Sequence, residues 1–168
     1  EIVVDGVLDE AVWQNATVID SFVTTSPYSL VEPEHYTQVR IHTNEKGIYI
    51  GITNDQPKET QLSTRSARDA AMSADSNSIV IDFDSAGVTA YQFSVGNGGS
   101  LQDGTYRNEN NFSLEWDGVW YAKTSADQDH WYSEVHIPWD VAPMVSTKNG
   151  MRDLGLHVER HIVSQQKT

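Results

Sequence analysis

Short runs of alternating apolar and polar residues, rich in Val, Ile, Thr and aromatic side chains, recur along the whole chain. No stretch of a dozen residues keeps a helical period. Because successive side chains of a strand point to opposite faces, a period of two indicates strands with one buried face. The chain is therefore predicted to be all-β: an antiparallel β-sandwich of jelly-roll or immunoglobulin-like type, with one or two short helices.

The alternating runs form three predicted antiparallel pairs and one late strand. These are 36–43 with 47–54, 78–83 with 90–95, 118–126 with 130–137, and 153–163. Gly47 suits the first hairpin because its loop needs a positive φ. Two polar stretches interrupt the pattern: 55–77, with a short helix predicted near 64–72, and 96–111, predicted to be irregular.

Composition limits the possible partners. The 168 residues include 24 Asp and Glu against 11 Lys and Arg, which gives a formal charge of -13. A field of that sign repels phosphate, so nucleic acid is not expected as a partner. There is no apolar run long enough for a membrane span and no cysteine. We expect one domain, 1–168, cut from a longer protein, because the chain stops just after a predicted strand.

The N-terminal stretch "DGVLDEAVW" is interpreted as a structural signature. Asp5 and Gly6 are predicted to form a turn, and Asp9 to cap a short helical turn. Val12 and Trp13 are then expected to be buried against a sheet edge.

Six segments in order resemble a known family, and the resemblance covers residues 3–163. They are "DGVLDEAVW", "TQVRIHTNEKGIYIGI", "DSNSIVIDFD", "AYQFSVGNGG", "WDGVWYAKTSADQDHWYSEVHIPW" and "GLHVERH". The order is similar to carbohydrate-binding module family 9, a β-sandwich family related to the DOMON domains. It is most similar to the form found at the N-terminus of bacterial proteins that continue into an outer-membrane β-barrel.

The resemblance implies a noncatalytic carbohydrate-binding module of a bacterial envelope or secreted protein, in the periplasm or outside the cell. Its implied partners are a saccharide and, within the same polypeptide, an outer-membrane barrel or a catalytic domain that acts on glycosides. Family members bind Ca²⁺, so calcium is an implied cofactor, with its ligands unassigned. No organic cofactor is expected.

The resemblance also implies a ligand site that departs from the family pattern. Met72 falls at the first tryptophan platform, Ser78 at the neighbouring acid, and Gln92 keeps the family's glutamine. Ser94 and Gly96 replace an arginine and an asparagine.

A second platform is implied near Thr168, at the end of the chain. Arg68 and Asp69 resemble an "RD" pair of the barrel-linked branch, and a structural ion pair is the other reading of these two residues.

Sugar recognition needs aromatic rings for stacking and polar groups for the hydroxyls. Trp116, in a loop before a strand, is the best exposed candidate, and a ring folded over the sheet end is the other interpretation of this residue. Trp120 lies within that strand. Alternation instead assigns Trp131 to the core. The predicted ligand-binding set is Trp116, Gln92, Met72, Arg68, Tyr106 and Trp120.

Catalytic and metal motifs are weak in this sequence. Asp82 and Asp84 would share one face of a strand, at a spacing that overlaps that of inverting glycosidases, but any D-x-D in a strand meets that condition. They are interpreted as a solvated or cation-binding pair. His157, Glu159 and His161 are expected on the outer face of the last strand, and their order is not that of a zinc protease. The domain is therefore predicted not to be an enzyme.

Two alternatives stay open at this point. One is a periplasmic interaction or docking domain of an outer-membrane barrel protein that does not bind sugar. The other is a haem-binding DOMON-like domain, for which Met72, Met144, Met151 and the six histidines supply candidate ligands.

Overall fold

The computed structural model describes residues 2–108, 110–147 and 149–165 as two antiparallel five-stranded sheets. Sheet I has the order β1-β2-β3-β9-β8, and sheet II the order β10-β4-β5-β6-β7. The strands are β1 Thr17–Ile19, β2 Thr37–Asn44, β3 Gly47–Asp55, β4 Ser76–Asp82, β5 Thr89–Gly96, β6 Leu101–Arg107, β7 Asn111–Ser113, β8 Tyr121–Ala126, β9 His130–Pro138 and β10 Gly155–His161. The predicted sandwich, its three hairpins and its late strand are confirmed.

The core lies between the two sheets and follows the sequence alternation. Ile50 from β3 and Ile79 from β4 are fully buried, and so is Phe93 from β5. Trp131, on β9, is fully buried as predicted. Removing each such side chain from water contributes roughly 1.5–3 kcal/mol or more, so these strands supply most of the driving force for folding.

Two expectations for the polar stretches are wrong. No helix forms at 64–72; the segment runs extended with a turn at Arg68 and Asp69. Long-range bonds hold its backbone, because Asp69 N donates to Leu101 O (3.0 Å) and Ser66 N to Ser100 Oγ (2.8 Å). The stretch 96–111 is not irregular throughout, since it contains β6.

Helical structure in the described residues is confined to three short 3-10 segments, Ala11–Asn15, Lys58–Thr60 and Val163–Gln165. The described part of the chain contains no helix that is long and apolar enough to cross a membrane.

Residues 5–13, which we name the N-terminal strap, cross the outer face of sheet I. The strap comes so close to the sheet that a Cβ at Gly51 would lie 2.7 Å from Leu8 Cδ2 and 3.4 Å from Trp13. Trp13 is buried as expected. The expected Asp9 cap is wrong: the 3-10 segment begins at Ala11 and has no side-chain cap. Glu10 instead accepts a bond from Trp13 Nε1 at 2.9 Å, which fastens the ring.

Glu134 of β9 lies beneath the strap and is 0% exposed. Its Oε2 accepts bonds from the backbone N–H groups of Asp5 (2.9 Å) and Gly6 (3.0 Å). Its Oε1 has no hydrogen-bond partner among the described residues. Burial raises the pKa of Glu134 to about 7, and the negative charges of Glu10 and Asp5 also raise it. A carboxyl group whose neutral form is favoured therefore anchors the strap.

Arg160 projects inward from β10 at one end of the sandwich. Its guanidinium donates to Thr37 Oγ1 (2.9 Å) and Gln56 Oε1 (3.1 Å), as well as to backbone carbonyls. Burial lowers the pKa of Arg160 to about 10. This arginine therefore ties β10 to β2 and to the loop after β3.

Candidate functional site

The outer face of sheet II is polar, in contrast to its inner face. The register places Glu159 opposite Ser78 and Ser78 opposite Ser94. It also places Gln92 opposite Gly104. Because β-strand side chains alternate, these positions share the face that turns away from the core. The residues found there include the apolar Val80 and Ala90 among the polar and aromatic Ser78, Gln92, Ser94, Gln102, Gly104, Tyr106, Phe112, His157 and Glu159.

An aromatic pair stands beside Gln92 on this face. Tyr106 and Phe112 are cross-strand partners with ring centroids 4.8 Å apart, and Tyr106 Oη donates to Gln92 Oε1 at 3.1 Å. The Phe112 ring lies over Gly104, where a Cβ would come within 2.7 Å of Phe112 Cζ. Phe112 remains 39% exposed. A partly exposed aromatic ring and an amide thus meet on one surface.

Small polar side chains and one thioether continue this surface. Ser78 Oγ and Ser94 Oγ are hydrogen-bonded at 2.7 Å. Met72 comes from the loop before β4 and lies against Gly96, where a Cβ would be 3.1 Å from its Sδ. The structure therefore brings Met72, Ser78 and Gln92, which the sequence aligned with a family site, to the same sheet face.

An ion pair forms the β10 side of the face. His157 Nε2 lies 3.0 Å from Glu159 Oε1. This hydrogen bond raises the pKa of His157 and lowers that of Glu159. Burial raises the pKa of Tyr106, and the charge of Glu159 adds to that effect. The predicted outward position of His157 and Glu159 is confirmed.

A second cluster surrounds Asp103, which points inward from β6. Asp103 is 0% exposed, and its Oδ2 accepts bonds from Arg68 Nη2 (3.0 Å), Gly118 N (2.8 Å) and Trp120 Nε1 (2.9 Å). Burial raises the pKa of Asp103 against the lowering effect of these donors. Arg68 Nε also lies 3.6 Å from Asp69 Oδ2, so the ion pair of the "RD" motif is present.

Trp116 and Trp120 lie on the inner side of sheet II, against Phe93. Trp120 is 3% exposed, and its indole N–H donates a hydrogen bond to Asp103 Oδ2. Trp116 is half-buried and packs its ring edge-on against Tyr91 (4.8 Å) and Phe93 (5.8 Å). The expectation that Trp116 is exposed is corrected here: the apolar ring extends the core beyond the strand ends.

The six residues predicted to bind ligand thus divide into two groups. Gln92, Tyr106 and Met72 lie together on the outer face of sheet II, whereas the others, Arg68, Trp116 and Trp120, lie around Asp103 and the core. Sequence reasoning missed Phe112, which follows a polar stretch and carries no local signal. The platform implied near Thr168 lies outside the described residues.

Asp82 and Asp84 do not form a pair on one strand face. β4 ends at Asp82, whose carboxylate accepts the N–H groups of Asp84 (3.0 Å) and Gly87 (2.7 Å) in the following turn. Asp84 Oδ1 accepts a bond from Arg152 Nη1 at 3.1 Å. Both carboxylates therefore accept hydrogen bonds that stabilise the loop after β4.

Solved structures with the same arrangement of sheets point to one fold. A carbohydrate-binding module family 9 domain of Caldicellulosiruptor kristjanssonii in complex with cellotriose superposes with a TM-score of 0.69 at 13% identity, covering 100% of this chain and 77% of that one. The chain has the fold of a family 9 carbohydrate-binding module.

Two further structures are similar in fold to this chain. A family 9 module of the same organism in complex with glucose gives a TM-score of 0.63 at 14% identity, over 96% of this chain and 74% of that one. A candidate carbohydrate-binding protein of Bacteroides uniformis gives 0.70 at 12% identity, over 92% and 75%. No family model matches the sequence, and no curated protein matches it. The likeness is therefore one of fold.

Calcium, which the family 9 resemblance implies, has one candidate location in the described part of the chain. Asp69, Asp103 and Asp117 each offer a carboxylate oxygen, and these oxygens lie within 4.8 Å of one another. Asp103 Oδ1 is buried and has no hydrogen-bond partner in the described structure. These three carboxylates offer oxygen donors of the type that Ca²⁺ takes, and supply three of the roughly six to eight oxygens that the ion needs. Arg68 shares these carboxylates, lying 3.1 Å from Asp117 Oδ1.

Proposed function

We propose that this domain is a noncatalytic carbohydrate-binding module that holds the end of a saccharide on the outer face of sheet II. The observation that carries the proposal is the position of Phe112 and Tyr106 beside Gln92. The likeness in fold to modules in complex with cellotriose and glucose supports it. The polar composition of the face supports it as well.

Each group on the face has a chemical part in this proposal. The exposed Phe112 ring offers an apolar platform for the C–H groups of a pyranose. Gln92 Oε1 already accepts the Tyr106 hydroxyl, so its amide N–H₂ is the group left to donate to a sugar oxygen. Ser78 is half-buried and can offer its hydroxyl to a sugar, whereas Ser94, 3% exposed, supports Ser78 from beneath through their hydrogen bond. These groups together can bind a polyol. They do not include a nucleophile in contact with a base, which agrees with a noncatalytic role.

The charge of the domain supports a neutral ligand. With a formal charge of -13, the protein repels polyanions such as sulfated or uronate-rich polysaccharides. A neutral sugar has no such penalty. We therefore propose neutral saccharides as the ligand class.

The resemblance of the sequence supports a further proposal about context. We propose that the domain works in the periplasm or outside a bacterial cell, next to an outer-membrane barrel or a catalytic domain of the same polypeptide. Cell fractionation of the native producer with an antibody against this domain tests it. Recovery of the domain in the cytoplasm would contradict this location.

Calorimetric titration with mono- and oligosaccharides, glucose and cellotriose included, tests sugar binding. Phe112→Ala should weaken binding at least tenfold, because it removes the platform, and Gln92→Ala should weaken it similarly. Tyr121→Ala is the matched control, because Tyr121 is a 53% exposed aromatic residue on sheet I. Wild-type affinity in Phe112→Ala, or no heat with any sugar, would overturn the proposal and favour the docking alternative.

We also propose that Asp69, Asp103 and Asp117 bind Ca²⁺ as a structural cofactor. Calcium should raise the melting temperature of chelator-treated protein, and magnesium should do so less, because three clustered carboxylates suit the larger ion. Asp117→Ala should abolish the effect of calcium, because it removes one of the three carboxylates. The Asp117 side chain is 74% exposed, so its removal should leave the chain folded. Asp140→Ala is the exposed control. An unchanged melting temperature in millimolar calcium contradicts the site.

A further inference from the structure

A cavity of about 310 Å³ lies beside the proposed saccharide face, between edge strand β10 and the chain that leads from β1 to β2. Most of its wall is apolar, including Ile19, Phe22 and Val23 on one side and Leu156 and Val158 on the other. Ligand pockets in proteins have this character: a volume of roughly 300–1,000 Å³, apolar walls and a few polar groups.

The cavity and the outer face of sheet II share a boundary. His157 and Glu159 line the cavity and also stand in the outward row of β10. Glu159 is the cross-strand neighbour of Ser78, and its charge acts on Tyr106 across the face. Gln92, on β5, lies two strands or about 10 Å from β10, so a molecule bound at Gln92 can extend past the ion pair into the cavity.

Charge restricts what the cavity can accept. Glu34 and Glu159 both line it and outnumber the one arginine there, Arg160, and the whole domain carries a formal charge of -13. A fatty acid or a phospholipid headgroup would bring further negative charge to these carboxylates. An apolar group attached to a neutral polar head meets no such repulsion.

Arg160 adds a positively charged group to the cavity wall. It lines the cavity and is only 8% exposed. Its Nε is buried and has no acceptor within the described ranges. Because this N–H is enclosed, a glycosidic, ester or amide oxygen in the cavity would meet the positive charge of the Arg160 guanidinium rather than this donor.

We propose that the ligand of this domain is an amphiphilic saccharide, with the sugar on the outer face of sheet II and an alkyl, acyl or aryl substituent in the cavity against β10. The inference rests on the proposed sugar binding. It adds the class of saccharide: a glycoside or acylated sugar with an uncharged head.

Titrations with methyl β-glucoside, octyl β-glucoside below its micelle concentration and 1-octanol test the proposal. Octyl glucoside should bind at least tenfold more tightly than methyl glucoside to the wild-type chain. Val23→Trp, which places a large ring in the cavity wall from a half-exposed position, should bring this ratio close to one and leave methyl glucoside affinity unchanged. Val88→Trp is the control, because Val88 is exposed and does not line the cavity.

The outcomes separate this inference from the proposed function. Equal affinity for both glucosides, with binding retained, refutes the cavity's role and leaves sugar binding standing. Octanol binding as tightly as octyl glucoside refutes a joint site. An octyl advantage that survives in Val23→Trp places the alkyl chain elsewhere and also overturns the inference. If Val23→Trp fails to fold, Leu156→Trp fills the same cavity from β10. No heat from any probe or sugar refutes both proposals.

Discussion

Glu134 gives the sharpest test of how the N-terminal strap is held. The Glu134→Gln change keeps the shape of the side chain and its acceptor for the Asp5 and Gly6 N–H groups, but it removes the charge. The variant should therefore be more stable than the wild type at pH 8 and nearly equal to it at pH 5. The reason is that only the wild-type side chain must ionise in a buried position as pH rises.

The magnitude follows from the raised pKa of Glu134. A folded-state pKa above the unfolded value means that the contribution to stability is present at low pH and is lost as pH rises through the folded pKa. The pKa of Glu134 rises from its usual 4.5 to about 7. Over the whole titration this shift corresponds to a loss of about 3 kcal/mol in the free energy of unfolding, most of it between pH 5 and pH 8. For a chain of this size, that is about 6–12 °C in melting temperature.

Thermal unfolding at pH 5 and pH 8, followed by tryptophan fluorescence and calorimetry, measures the difference between variant and wild type. Glu45→Gln, in the exposed β2–β3 turn, is the matched control and should show the same small difference at both pH values. A Glu134→Gln difference that does not change between pH 5 and pH 8 would refute the reasoning. It would mean that water or a counter-charge reaches the Glu134 carboxylate beneath the strap.

Four further substitutions test the packing around the site. Trp116→Ala should lower the free energy of unfolding by about 3 kcal/mol in urea titrations, because the ring packs on the core. Saccharide affinity should stay unchanged. Lost affinity without lost stability would contradict this. Gly104→Ala should cost about 1–3 kcal/mol and weaken saccharide binding in calorimetry, since the new methyl group would lie 2.5 Å from Ser113 O and 2.7 Å from Phe112 Cζ and so displace β7 together with the ring. Normal binding would show that the ring is not the platform. Asp103→Ala should lower the free energy of unfolding by about 3 kcal/mol or more in urea titrations. Asp117→Ala, at an exposed position, should lower it by under about 1 kcal/mol. Equal losses would contradict the central role of Asp103.

The strands of the core could be predicted because their apolar side chains alternate locally. β6 could not be, since its inward position is occupied by Asp103 and its outward position by Gly104. An aspartate is compatible with burial there only because Arg68, Gly118 and Trp120 supply three donors. These donors are 15 to 35 residues away in the sequence, so no local pattern announces them.

The same limit applies to the candidate site. Gln92 and Met72 could be found by resemblance, because they align with positions of a known family. Phe112 could not, since its value depends on Gly104 leaving room for the ring on a neighbouring strand. Trp116 allowed two interpretations because its loop position is compatible with exposure, and only the structure shows that Tyr91 and Phe93 offer it an apolar surface.

The unequal lengths of the outer strands bear on how copies of this domain behave at high concentration. β1 and β7, which each close one side of a sheet, have three residues apiece, whereas β8 has six and β10 seven. An open strand edge is a template for pairing with another chain, and shortening it removes most of the template. Among the described strands, intermolecular pairing and the aggregation that follows from it can therefore begin efficiently along β8 and β10. Protective charges or prolines are needed on these two edge strands and not on β1 and β7.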